Sequence, residues 1–331
     1  MNRKVVLASR PDGVPTAANF RLVQAPVPEL ADGAVLIATD YLSIDAFIRT
    51  TLDDRPGFHG QAELEAPVMA LGVGRVVASR FPGLAEGDSV FGPIGAQTHA
   101  VMPGGMYRKL PAGDLPPKTW LGLLGMTTGL TAYVGMLTVG EVVSGDTVVV
   151  SAAAGAVGSV ACQLAKIAGA RVIGIAGGSA KCDFLVNTLG CDGAVDYKAG
   201  DVGARLAAHA PNGVNVFFDN VGGEILDAVL LQLAPGARVV LCGAISQYNR
   251  MGEVRGPVNY LKIAERNASM RGFTVDRYAD DFARMEADIV RWIGEARLTM
   301  PEHVVTGIEN FPTALGMLFN GGHRGKLLVA P

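Results

Sequence analysis

The stretch Val148 to Ser159, VVVSAAAGAVGS, joins a β-branched run to a small-residue turn and a helix-forming tail. Its spacing, Ala152-x-x-Gly155-x-x-Gly158, is that of a pyrophosphate cradle. Small residues permit the tight turn, Gly155 lets the backbone approach phosphate oxygens, and Gly158 lets the helix pack closely on the strand. Ala156 and Val157 open the helix, whose first N–H groups and positive dipole end favour an anion. About 20 residues further on, a site for NAD carries a carboxylate for the ribose 2′-hydroxyl, whereas a phosphorylated ribose needs small and cationic groups. The corresponding tip reads Gly177-Gly178-Ser179-Ala180-Lys181, with no carboxylate of its own. Ser179 can donate to a 2′-phosphate and Lys181 can pair with it, so NADPH is the expected cofactor. A solvated first-turn lysine is the alternative reading of Lys181, and Asp183 keeps NAD open.

The elements that must hold this turn follow from periodicity. Before residue 120, short β-branched runs at 5–7, 34–38, 74–78, 89–91 and 99–101 alternate with Pro and Gly. They predict a compact antiparallel, barrel-like domain. Residues 53–64, DDRPGFHGQAEL, are polar and turn-rich and are expected to form a mobile loop. From Trp120 strands alternate with helices: helix 121–137, strand 147–150, helix 157–168, strand 171–176 and helix 181–189. Strands at 193–196, 214–219 and 238–242 follow, with helices at 203–209 and 224–233. This alternation predicts an α/β, doubly wound parallel sheet. Beyond it lie a helix at 260–267, a strand at 272–275, a helix at 280–295 and a strand at 326–329 that is expected to return to the first domain. The expected division is 1–120 with 297–331 for one domain and 121–296 for the other.

Composition narrows the function classes. A chain of 331 residues exceeds the roughly 250–300 at which one core stops growing. A net charge of −3 gives no electrostatic case for nucleic acid or an anionic membrane as partner. No run of about 18 apolar residues is present and the N-terminus lacks the apolar core of a secretory signal, so a cytoplasmic protein is expected. The cysteines, Cys162, Cys182, Cys191 and Cys242, are too widely spaced for a C-x-x-C metal site and read as small, reduced, buried residues.

Several motifs together carry a resemblance: Gly129-Leu-Thr131-Ala-Tyr133, Ser151 to Gly158, Gly174-Ile-Ala-Gly177, Lys181-Cys182, Asp196-Tyr197-Lys198, Phe218-Asp-Asn220-Val-Gly222-Gly223, Cys242-Gly-Ala-Ile245-Ser246-x-Tyr248-Asn249 and Gly325-Lys326. The sequence resembles the zinc-independent medium-chain dehydrogenases/reductases, within them the NADPH-dependent alkenal, leukotriene/prostaglandin and curcumin reductases. The resemblance implies a GroES-like, β-barrel-type N-terminal domain completed by the C-terminal tail, an inserted Rossmann domain and a homodimer built through it. It also implies hydride transfer to the β-carbon of an α,β-unsaturated ketone or aldehyde, a small-molecule substrate. By the same resemblance, Gly155, Ala156 and Val157 face the pyrophosphate, and Lys181 and Tyr197 hold the 2′-phosphate. Asn220, Cys242, Tyr248 and Phe273 line the rest of the cofactor channel, and Thr127 and Thr131 lie at its nicotinamide half. Taken singly, Asn220 reads equally as a turn residue and Cys242 and Phe273 as packing residues.

Tyr260, in Gly256-Pro-Val-Asn259-Tyr260-Leu261, matches the tyrosine of bacterial relatives, whose phenol can stabilise an enolate oxygen and supply a proton. Its alternative is an amphipathic anchor for a helix. In many plant and mammalian relatives the proposed tyrosine falls where this chain has Glu265. The frequent Asp-Pro-Tyr-Met-Arg segment is Asp45-Ala46-Phe47-Ile48-Arg49 here, so Phe47 and Arg49 are expected in the substrate pocket with one phenol lost. An asparagine near the cofactor is replaced by His323, which can donate a hydrogen bond or lie exposed. Zinc chemistry is not expected. No cysteine precedes Cys162, and Leu71-Gly72-Val73-Gly74 lacks the histidine–glutamate pair of the zinc enzymes. Two alternatives stand beside enone reduction: a quinone reductase, and a nucleotide-binding protein without turnover.

Overall fold

A computed structural model describes residues 1–55 and 57–331, and the chain divides into two compact units. One is Met1–Leu121 with Glu302–Pro331, the other Gly122–Pro301. Among the described residues no helix is long and apolar enough to cross a membrane.

The first unit is built on the strand Ala34–Ser43. It pairs antiparallel with Leu71–Ser79 on one edge and, along its length, with His99–Pro103 and Lys326–Ala330 on the other. Glu302–Thr306 adds in parallel to Lys326–Ala330, while Ser89–Pro93 and Arg108–Lys109 extend the opposite side. Val35, Ile37 and Leu42 alternate into a core that the C-terminal segment completes with Phe311, Leu315, Leu327 and Val329. That return is locked by a buried ion pair, Lys326 Nζ to Asp45 Oδ1 at 2.8 Å, with Ser43 donating to the other oxygen of Asp45. The strands Asn2–Leu7 and Phe20–Ala25 form a separate antiparallel pair.

The second unit holds a parallel sheet, six-stranded among the described residues. Its order is Gly193–Asp196, Arg171–Ala176, Thr147–Val150, Val214–Asp219, Leu233–Leu241, Ser269–Gly272. This is the doubly wound order, which reverses between the third and fourth of these strands; ligands of such sheets bind outside that reversal. The strands are continuous apolar runs because helices cover both faces: Val148, Val149 and Val150 are inaccessible, as are Val216, Phe217 and Phe218. The helix Ala156–Ile167 buries Val160, Ala161, Leu164 and Ala165, whose small members allow close approach to the sheet.

Two expected elements differ. The helix expected over 121–137 is wound instead as a π-helix at Met126–Leu130, one α turn at Thr131–Tyr133 and a second π-helix at Val134–Val139. Glycines at 125, 129, 135 and 140 weaken ordinary α winding. The strand expected at 272–275 is Ser269–Gly272, because pairing with Arg238 to Leu241 sets its register and Phe273 to Val275 leave the sheet. The loop expected to be mobile at 53–64, of which Pro56 lies outside the described residues, is tied at both ends. The Arg10 guanidinium donates to Leu52 O, Asp53 O and Ala62 O.

Candidate functional site

The site of the second unit grows from two strand ends. Register places Phe218 beside Val150, so the residues that follow, Asp219 and Ser151, are neighbours at the reversal of strand order. Ser151 Oγ donates to Asp219 Oδ1 at 2.8 Å and accepts from Asn220 N at 2.8 Å. Asp219 also accepts from the N–H groups of Val221 and Gly222. Burial pushes the Asp219 carboxyl above the usual carboxylate range, and these donors oppose the shift. Neither Ser151 nor Asp219 was singled out as a site residue from sequence; strand register is the signal that joins them. Asn220, expected along the cofactor channel, turns its side-chain N–H to Ser151 O at 2.7 Å.

Above this network the chain makes the turn expected to cradle a pyrophosphate. Ala152 has φ +47°, a left-handed conformation that costs a non-glycine residue about 1–2 kcal/mol. Its carbonyl accepts from Gly155 N at 2.9 Å, closing the turn. A Cβ on Gly158 would lie 2.8 Å from Ala153 Cα and closer still to Ala152 O, so the helix start is pressed against the turn. Gly155 caps the helix without a side chain, and no carboxylate occupies its first turn. The first-turn N–H groups at 156–158 are therefore left for an external acceptor. Because glycine adopts φ +47° without that cost, Ala152→Gly is expected to raise stability by about 0.5–1 kcal/mol, read from the urea midpoint.

The tip expected to meet a 2′-phosphate is assembled by the same register logic. Asp196 lies beside Ala176, so Tyr197 and Lys198 fall next to Gly177. A Cβ on Gly177 would meet Tyr197 Cζ and Oη at 2.8 Å and Lys198 Cε at 2.9 Å, so both side chains cover this tip. The tip has no carboxylate of its own, yet the neighbouring strand brings one: Asp196 Oδ1 accepts from Gly178 N at 2.8 Å and Lys198 N at 2.9 Å. Those two N–H groups hold its carboxyl below the usual range. Ser179 and Lys181 occupy the first turn of the helix Ser179–Asn187, again with no acidic residue there. Tyr197 is 44% exposed. Strand register alone marks out Lys198 beside this tip.

The other expected cofactor residues are distributed as follows. Thr131 Oγ1 donates to Met126 O at 2.6 Å inside the π-wound segment that also carries Thr127; such windings recur at functional sites. Tyr133 fastens that segment to the helix Phe282–Gly294, its hydroxyl donating to Asp288 at 2.8 Å and accepting from Arg284 at 3.0 Å. Cys242 is a protonated thiol, its pKa pushed up to about 12 by burial and by the Asp219 charge; it is no nucleophile at neutral pH. Tyr248 Oη accepts from Ala244 N at 3.2 Å, and burial raises its pKa. The Phe273 ring packs where a Cβ of Gly135 would be, 2.8 Å from its Cζ, and so serves packing as well.

Tyr260 is 59% exposed and precedes the short helix Leu261–Glu265. The preceding Asn259 anchors it, bonding through N and Nδ2 to Asp227. Glu265 forms an exposed ion pair with Lys262. In the first unit, Phe47 opens the helix Phe47–Thr51 and lies half-buried. Arg49, expected in the substrate pocket, is only 1% exposed. Its guanidinium is committed to Gly13 O at 2.9 Å and Asp53 Oδ1 at 2.5 Å, so it braces the segment beneath Phe47. His323 Nδ1 lies 3.2 Å from Met317 O, near the end of the helix Phe311–Asn320.

Among the described residues no group of three or more His, Cys, Asp or Glu side chains is arranged to hold a metal ion. Residues 3–110 match the N-terminal domain of oxidoreductase and residues 156–291 match a family described as zinc-binding dehydrogenase. The chain is 36% identical over 335 residues to the NADPH-dependent curcumin reductase of Escherichia coli, covering 99% of this chain and 96% of that protein. It is 36% identical to prostaglandin reductase 1 of Rattus norvegicus, covering 96% and 95%. The crystal structure of CurA from Vibrio vulnificus in complex with NADPH superposes with a TM-score of 0.93 at 39% identity, covering 99% of this chain and 98% of that one. The chain belongs to the medium-chain dehydrogenase/reductase family, in the zinc-independent branch of oxidoreductases that contains the curcumin and prostaglandin reductases.

Proposed function

We propose that this protein reduces the carbon–carbon double bond of α,β-unsaturated ketones or aldehydes with NADPH. The observation that carries the reading is the pair of adjoining anion sites in the second unit, the helix start at Gly155–Gly158 and the tip covered by Tyr197 and Lys198. The first suits a pyrophosphate. The second, with Ser179 and Lys181 on an uncapped helix start, suits a 2′-phosphate. Thr127, Thr131, Asn220, Cys242, Tyr248 and Phe273 are proposed to line the remainder of the channel, and His323 is proposed as a further cofactor residue on the family resemblance.

When bound, NADPH supplies the hydride that the β-carbon receives. The protein's own part is orientation and proton management. Phe47 offers an apolar wall to the substrate. The Tyr260 phenol is proposed to donate a hydrogen bond to the carbonyl oxygen as negative charge develops there, and then a proton. The substrate carbonyl already polarises the double bond, so no metal is required by the chemistry. A homodimer formed through the second unit and a cytoplasmic location are proposed on the family resemblance.

The test is an NADPH-oxidation assay with a simple enone and with a quinone. Enone reduction is expected, and Tyr260→Phe is expected to lower kcat roughly 100-fold with NADPH affinity unchanged. An unaltered kcat removes Tyr260 from the reaction. Turnover of quinones alone replaces the reading with a quinone reductase, and NADPH binding with no turnover of either replaces it with a nucleotide-binding protein.

A further inference from the structure

The π-wound segment 126–139 has a single α turn at its centre, Thr131–Tyr133. Winding of this kind is rare beyond one turn, so contacts from outside must hold it. In an α-helix Leu130 N would bond Met126 O. Here it reaches Gly125 O at 3.1 Å, five residues back, and the Thr131 hydroxyl takes the Met126 carbonyl at 2.6 Å. At the far end Gly140 N bonds Gly135 O at 2.9 Å, again five residues back, and Arg238 Nε donates to Gly140 O at 2.8 Å.

The central α turn is held by one side chain. The Tyr133 hydroxyl bonds Asp288 and Arg284, both on the helix Phe282–Gly294, and Trp292 of that helix stacks on the Tyr133 ring at 6.0 Å. Burial first, and then the bond to Asp288, push the Tyr133 phenol above its usual pKa, so the hydroxyl keeps its proton at neutral pH.

The open face of the segment is narrow. From 126 to 136 only Met126, Thr127 and Thr131 are not buried. One turn on from Thr131, Gly135 packs on the rings of Phe218 and Phe273. Phe218 stands near the end of its strand at the reversal of strand order, and the strand that leads to Tyr197 lies on the other side of that reversal. A dinucleotide spans such a crevice. With its 2′-phosphate at the Tyr197 tip and its pyrophosphate at Gly155–Gly158, its nicotinamide falls on the Phe218 side, where Thr127 and Thr131 open.

We propose that Tyr133 is a positioning residue for the nicotinamide half of NADPH, its bonds to the helix Phe282–Gly294 fixing the turn from which Thr131 and Thr127 meet the cofactor. This rests on the NADPH-dependent reductase reading and gives that helix the part of a strut.

The experiment titrates NADPH and adenosine 2′,5′-bisphosphate, which has the 2′-phosphate but no nicotinamide, into the wild type and Tyr133→Phe by calorimetry. Turnover of NADPH with a simple enone is followed alongside. Tyr133→Phe loses only the hydroxyl. It is expected to bind NADPH roughly 10-fold more weakly and the bisphosphate within about a factor of two of the wild type. Its kcat at saturating NADPH is expected to fall roughly 10- to 100-fold, as for a misplaced reactant. Asp288→Asn, which keeps an acceptor, should retain most of the NADPH affinity. Asp288→Ala should reproduce the loss, and combining it with Tyr133→Phe should add little. A Tyr133→Phe protein that matches the wild type with both ligands, or loses both equally, overturns the proposal. Enone turnover by the wild type with no such split in the variant sinks the proposal alone. The split in a protein whose wild type reduces no enone sinks the reductase reading alone.

Discussion

Gly158→Ala is expected to destabilise the second unit by roughly 2–4 kcal/mol and to abolish measurable NADPH binding. The added methyl group cannot rotate away. It would lie 2.8 Å from Ala153 Cα, and its closest neighbour is the Ala152 carbonyl, which is already fixed by Gly155 N. Relief requires the helix Ala156–Ile167 to lift from the turn, and that movement opens the packing of Val160 and Leu164. The N–H groups at the helix start then no longer converge with the turn. Thermal unfolding and NADPH fluorescence titration should report both losses; a variant with wild-type stability and affinity would show that the turn tolerates a wider opening. Gly155→Ala is a useful companion, since its Cβ would meet only Ala152 O, at 3.2 Å. It should lose affinity and keep most of its stability.

Lys181→Ala and Lys198→Ala are each expected to weaken NADPH binding roughly 10- to 100-fold while leaving NADH affinity within about a factor of two, because a charge-assisted hydrogen bond is worth about 1.5–3 kcal/mol. The double variant should have lost most of the preference for NADPH. The preference should also shrink as salt is raised, since both lysines act near the surface. Equal losses for the two cofactors would move the lysines out of the 2′-phosphate site. Asp196 sets the limit on this design. Its carboxylate accepts from Gly178 N and Lys198 N. It therefore shapes the tip while adding a negative charge beside the proposed 2′-phosphate site, which two cations would offset better than one.

The parts legible in the sequence are those written in consecutive residues. VVVSAAAGAVGS shows strand, turn and helix in order, and the alternation after Trp120 shows the parallel sheet, because each depends on local periodicity. Residues that meet through register were harder to read. Ser151 with Asp219, and Gly177 with Lys198, are adjacent only when two strands are aligned side by side. Arg49 illustrates a third case. The resemblance puts Arg49 in the substrate pocket, whereas its guanidinium is buried and bonded to Gly13 O and Asp53. The π winding at 126–139 was illegible for a different reason, since a helical apolar pattern does not distinguish i→i+4 from i→i+5 bonding.

The C-terminal strand has a consequence for how the chain acquires its structure during synthesis. A nascent polypeptide that has emerged up to Pro301 contains every residue of the second unit but lacks Glu302–Thr306 and Lys326–Ala330 of the first. Ala34–Ser43 then has an open edge where Leu328 and Val329 will pair, and Asp45 has lost its buried cation. Domains usually become native in the order in which they leave the ribosome. Here the unit that begins first must finish last, and its unpaired edge is the segment that a chaperone would have to shield meanwhile.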